Sequence, residues 1–288
     1  MSKVRTVARP LWGRGMEYIE LSDNVPRLIT AGCSFAIKPY DRKIYRNAFD
    51  ETDSISWGEL LSNKTYREFF DWSKEGSGSE YAYRVIIDSV LENLGTDIMV
   101  VVGWSSIGRW EIFSKFDGQL KKNMLYDMRD SEEVNIHKFY GLKEYQQHAL
   151  NYTCFQDHLK KLDYIIGLGN FLKSHNIKYL FFNAFESLDS WKNGTCYFGP
   201  TETGKDCPVL TRKTNYIREN LNWFDRIQIE IGAKEGYYDD VIVGNFNNPG
   251  SDPLKKKEEY FLLDGWHPSK LAHREWSEIL YNEICNRY

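Results

Sequence analysis

Several classes of protein are excluded by what this chain has little of. It has no excess of positive charge: 37 Lys and Arg stand against 41 Asp and Glu, a formal net charge of -4. A protein that holds nucleic acid non-specifically needs a basic face, so that role is disfavoured and no nucleic-acid partner is expected. It has only five cysteines, Cys33, Cys154, Cys196, Cys207 and Cys285. An odd count without metal-ligand spacing makes free thiols the expectation and a metal centre unexpected. Cys196 and Cys207 share one irregular stretch and would pair only in an oxidising setting. No apolar run approaches the length that spans a bilayer, so no membrane partner is expected. Met1 to Arg14 carries Lys3, Arg5, Arg9 and Arg14 but no apolar core, which predicts neither a signal peptide nor an anchor. There is no internal repeat or low-complexity tract, and Gly167-Leu168-Gly169, inside a helical pattern, is too short for a nucleotide-binding fingerprint.

What the chain does have is size and apolar content. With 288 residues and 42% hydrophobic composition it can bury one substantial core, and a single domain spanning 1–288 is the simplest reading. Strand and helix patterns alternate. Arg27 to Ala31 reads as a short strand, and Ser56-Trp57-Gly58-Glu59 as a capping box opening a helix through Leu60 and Leu61. Glu68 to Trp72 reads as a second strand. Tyr81 to Leu94 is an amphipathic helix with Tyr83, Ile86, Ile87, Val90, Leu91 and Leu94 as its apolar stripe, ended by Gly95. Ile98 to Val102 is wholly apolar, as a strand covered on both faces should be. Tyr145 to Ser174 predicts a long helix with Phe155, Leu159, Leu162, Ile166 and Phe171 inward, followed by a strand at Lys178 to Asn183. The last helix is expected to open with Pro268 at its first position. Strands separated by helices predict an α/β fold with a parallel sheet and right-handed crossovers. Lys115 to Gly141 is charged and irregular, and residues 187–259 read as a long irregular insertion; such insertions either shape substrate access or are solvent-facing decoration or an oligomer contact.

Two short motifs carry the chemistry. Gly32-Cys33-Ser34 follows the first strand, where a glycine permits the sharp turn that presents a serine at the C-terminal edge of a sheet. A serine hydroxyl needs a base, and His267 in Asp264-Gly265-Trp266-His267-Pro268 is the candidate, with Asp264 three residues earlier to orient the ring. Taken singly, the first is an ordinary turn and the second an ordinary helix start; together they supply nucleophile, base and orienting acid. His137, His148, His158, His175 and His273 lack such a pattern and read as surface or satisfied core residues.

These motifs resemble the SGNH, or GDSL, hydrolases. The family's Gly-Asp-Ser block is matched by Gly32-Cys33-Ser34 except for the middle cysteine, and its Asp-x-x-His block is matched at Asp264 and His267. Its oxyanion-hole glycine finds a loose counterpart in Gly76-Ser77-Gly78-Ser79. Its Gly-x-Asn-Asp block is met by Gly103-Trp104-Ser105-Ser106, with Ser105 where asparagine would stand. Either the Ser105 hydroxyl replaces that amide donor or the oxyanion hole is weakened. The Gly-Cys-Ser and Gly-Trp-Ser-Ser variants are similar to a divergent branch seen in tailed bacteriophages.

The resemblance implies a three-layer, flavodoxin-like parallel sheet with helices on both faces and long loop insertions, and a cytoplasmic or virion-associated serine esterase that needs no cofactor. In the family's mechanism Ser34, His267 and Asp264 form the triad, and backbone N–H groups at Ser34 and near Gly76 or Gly78, with Ser105, form the oxyanion hole. The implied substrate is a small-molecule or polysaccharide ester, with an O-acetyl group on a polysaccharide foremost. Trp104 and Trp266 adjoin proposed site residues and are expected to line the pocket. Arg109 either contacts a polar or anionic substrate or pairs with a nearby carboxylate. The competing reading, favoured by the missing asparagine, is a non-catalytic phage structural or glycan-binding protein on the same fold.

Overall fold

The computed structural model describes residues 4–11, 15–22, 25–37, 55–74, 76–107, 109–113, 120–124, 154–185, 187–189, 195–196, 199–200, 207–227 and 268–288. Its centre is a five-stranded parallel sheet built from β3 (Arg27–Ala31), β4 (Glu68–Asp71), β5 (Ile98–Trp104), β8 (Lys178–Asn183) and β11 (Trp223–Ile227). The spatial order is β11-β8-β5-β3-β4. Numbered along the chain, the sheet strands run 2-1-3-4-5, the flavodoxin-like doubly wound order, in which ligands bind beyond the carboxyl ends of the strands where the order reverses. That reversal falls between β3 and β5, the two strands that precede Ser34 and Ser105.

Alternation along the strands divides the core into two layers. Ile29, Ala31, Val100, Val102, Trp104, Tyr179 and Phe181 face helices α2 (Ser79–Glu92), α3 (Cys154–Ser174) and α4 (Pro208–Asn220). Leu28, Met99, Val101, Leu180 and Phe182 face α1 (Trp57–Thr65) and α5 (Lys270–Arg287). Val100, Val101 and Val102 are completely buried, which is why β5 is an unbroken apolar run. Three further pairs are antiparallel: β1 (Val4–Leu11) with β2 (Gly15–Ser22), β6 (Arg109–Phe113) with β7 (Leu120–Met124), and β9 (Thr195–Cys196) with β10 (Gly199–Pro200).

Ser56 caps α1 as expected, its Oγ accepting from the Glu59 N–H at 3.2 Å. Three expectations are corrected. Residues 187–259 are not wholly irregular, because α4 and the edge strand β11 lie within them. The buried face of α2 is Tyr81, Ala82, Val85, Ile86, Ser89 and Val90, while Leu91 and Leu94 are exposed; the small Ala82 and Ser89 belong to the face that packs. Pro268 precedes the N-cap of α5 rather than opening the helix, since Ser269 Oγ accepts from the Ala272 N–H at 3.3 Å. Residues 145–153 of the expected long helix and most of 115–141 lie outside the described residues.

Asp157 in the first turn of α3 is held against the core with Oδ2 buried and unpartnered. Burial raises its carboxyl to about 6, against the opposing pull of Lys160 and with a small further push from Glu80. Because the folded value lies above the unfolded one, the fold binds this proton more tightly than the open chain does. Its contribution to stability is full at pH below about 4 and is lost as pH rises through about 6. Asp157→Asn is therefore expected to raise the thermal midpoint at pH 7 and to lose that advantage near pH 4, in paired melts of wild type and variant.

Candidate active site at the carboxyl edge of the sheet

β3 ends at Ala31 and the chain turns at once, the Ala36 N–H donating to Cys33 O at 2.9 Å, so that Ser34 sits inside a tight turn at the carboxyl edge. Glycine is required at 32 for close approach: a Cβ there would lie 2.8 Å from Ala36 Cβ and 3.4 Å from Gly103 O. The loop after β4 folds over this turn. Gly32 O accepts from the Lys74 N–H at 3.0 Å and from Ser77 Oγ at 2.9 Å. Asp71 Oδ1 fixes the loop's root by accepting from Thr30 Oγ1 at 3.0 Å and from the Ser73 N–H at 2.8 Å. Gly76, at φ 67°, takes the left-handed conformation that favours glycine, and Gly78 is the N-cap of α2. Gly78 has a steric duty as well, since a Cβ on it would lie 2.3 Å from the carbonyl oxygen of Arg109.

The other wall comes from β5. Ala31 is in register with Val102 in the parallel pair, so three residues further along each chain stand Ser34 and Ser105. Ser105 and Ser106 are both buried, at 2% and 1% exposure. The Arg109 guanidinium donates from Nη1 to Ser105 Oγ at 3.1 Å and lies over the Phe185 ring, 4.8 Å from its centroid. Phe185 in turn meets Phe35 edge-on at 4.4 Å, so one aromatic contact links the residue after Ser34 to the end of β8. Of the two alternatives for Arg109, a structural carboxylate partner is absent among the described residues.

The chain also enters α5 at this edge. His273 Nδ1 accepts from the Trp57 N–H at 3.1 Å, placing the start of α5 beside the start of α1, while Tyr288 at its far end bonds both N and O of Tyr179 near the beginning of β8. Pro268, where the described chain resumes, is buried. Asp264, Trp266 and His267 themselves lie outside the described residues.

Two expectations about side chains change. Trp104 does not line a pocket: it is completely buried and packs edge-on against Phe181 at 5.5 Å, because it continues the inward face of Val100 and Val102. Ser34, expected to be exposed, is 7% exposed. Cys33 is a buried free thiol and Cys207 is also free, while the side chain of Cys196 lies outside the described residues. Sequence reasoning missed Phe185, which lies beyond the expected strand, and Asn183, which reads simply as the tail of that strand but has a buried, unpartnered side-chain oxygen at the end of β8. Among the described residues no group of three or more His, Cys, Asp or Glu could hold a metal ion, and no helix is long and apolar enough to cross a membrane.

No family model matches this chain and no curated protein matches it. Solved structures similar to it include esterases and lipases. The psychrotrophic esterase EstA from Pseudoalteromonas sp. is 12% identical, with 90% of this chain and 97% of that one covered and a TM-score of 0.43. A GDSL-like lipase from Bacteroides thetaiotaomicron is 12% identical, with coverage of 91% and 89% and a TM-score of 0.41. The acetyl xylan esterase Est2A from the rumen bacterium Butyrivibrio proteoclasticus is 14% identical, with coverage of 94% and 67% and a TM-score of 0.43. Likeness at this level says nothing of the reaction.

Proposed function

We propose that this chain is a serine ester hydrolase of the SGNH type. The observation that carries the reading is the setting of Ser34, on a tight turn just beyond β3 at the topological switch point, with Ser105 just beyond the end of the neighbouring strand β5. In the proposed mechanism His267 takes the proton of Ser34, whose oxygen attacks the ester carbonyl, and Asp264 holds the imidazole and stabilises its charged form. The N–H of Ser34, a backbone N–H of the Gly76–Gly78 loop and the Ser105 hydroxyl receive the negative charge. The alcohol leaves with the proton from His267, and water, deprotonated by the same ring, releases the acid from the acyl-enzyme. Each of these groups is a side chain or backbone group of the chain, so the scheme needs no metal or organic cofactor.

For the substrate we propose an O-acetyl group on a polysaccharide, with Arg109 and Trp266 near the sugar, in a protein of the tailed-phage type. Acetate release from an acetylated polysaccharide, measured beside hydrolysis of a short-chain aryl ester, tests both levels of this reading. Aryl ester hydrolysis without acetate release would remove the polysaccharide and leave the esterase. The low exposure of Ser34 favours the second reading, a non-catalytic glycan-binding or phage structural protein, and inactivity on both substrates would support it.

A further inference from the structure

Ser105 differs from the buried Ser77 at this edge in what it does with its oxygen. Ser77 Oγ donates to a backbone carbonyl, Gly32 O. Ser105 Oγ instead accepts, from Arg109 Nη1 at 3.1 Å, and among the described residues it donates to nothing. A hydroxyl has one proton and two lone pairs. With a charged N–H on one lone pair, the proton must point away from the guanidinium, and the positive charge draws electron density from the oxygen and makes the O–H a stronger donor. The arginine is itself held from two sides. Its guanidinium lies over the Phe185 ring, 4.8 Å from the centroid, and its carbonyl is pressed against Gly78, where there is no room for a Cβ. Its Nε is buried and unpartnered, and no carboxylate among the described residues neutralises it.

We propose that Arg109 is a positioning residue that acts through Ser105: it orients and polarises that hydroxyl so that a serine performs the task for which a longer carboxamide would otherwise be needed. This rests on the reading of Ser34 as the nucleophile. An oxyanion forming on a Ser34 adduct would accept from Ser105 only once the charge has developed, so the benefit falls on the transition state and not on substrate binding.

The test is a double-mutant cycle on aryl ester hydrolysis with Ser105→Ala, Arg109→Met and the two combined, with Arg109→Lys alongside. Ser105→Ala is expected to lower kcat by about 10- to 100-fold, somewhat less than the full loss of a rigid oxyanion donor, with KM little changed. Arg109→Met should lower kcat by nearly as much, and the double variant should be no worse than Ser105→Ala alone. Arg109→Lys, which keeps the charge without the planar fork, should recover part of the loss, and it carries the test should the methionine variant not fold. Additive losses, a rise in KM at unchanged kcat, or a lowered thermal midpoint with kcat spared in either Arg109 variant would each overturn the proposal. Failure of the underlying reading is distinguishable, because the wild type would then have no activity for any variant to lose.

Discussion

Ser34→Ala is expected to lose essentially all ester hydrolysis, a fall in kcat on the order of 10⁴-fold or more, as when the nucleophile of a serine-protease triad is removed. The fold should survive. The turn around Ser34 is held by bonds that alanine at this position leaves in place, namely the Ala36 N–H on Cys33 O and, on Gly32 O, the Lys74 N–H and the Ser77 hydroxyl. Parallel measurement of kcat on an aryl ester and of the thermal midpoint separates loss of chemistry from loss of structure. Unchanged activity in the variant would move the chemistry to another group, and Cys33, a buried free thiol one residue away, would be the first suspect.

Trp276→Ala is expected to have the largest effect on stability. Trp276 is completely buried on the inner face of α5, edge-on to Phe182 at 5.1 Å and tilted against Phe224 at 6.1 Å. Truncating an aromatic side chain of this size in a packed core costs about 3–5 kcal/mol, a large share of the 5–15 kcal/mol that separates a typical domain from its unfolded state. Chemical denaturation should show a lowered midpoint at unchanged slope, and Trp276→Phe should recover much of the loss. Activity should fall with it, because α5 is the element through which the chain leaves the Asp264–His267 motif.

The parts of this fold that were legible in the sequence are those where one physical signal dominates. The five apolar residues from Ile98 mark a strand buried on both faces, and Ser56 with Glu59 marks a helix start that is capped as expected. The parts that were not legible are those where partners, and not periodicity, decide. The edge strand Trp223–Ile227 carries Asp225 and Arg226 and looks like loop until β8 pairs with it. The buried face of α4 is Leu210, Thr214 and Ile217, too little apolar surface to declare a helix. α5 buries Ala272, Leu280 and Ile284, as its apolar spacing implies, but also His273, Trp276 and Ser277, which that spacing does not pick out. At the site, Gly32 and Ser34 could be read from local turn chemistry. The linkage of Arg109 to Ser105, to the ring of Phe185 and to the backbone at Gly78 joins residues from separate strands and a helix, and only the folded chain brings them together.

The central claim, that Ser34 is an activated nucleophile, is tested most directly by treating the native protein with a fluorophosphonate and mapping the modified peptide by mass spectrometry. The account predicts one stoichiometric adduct on Ser34, absent in Ser34→Ala and strongly slowed in His267→Ala. Absence of labelling at Ser34 under conditions that fully label a known serine esterase, or an adduct on another residue that persists in Ser34→Ala, would contradict it.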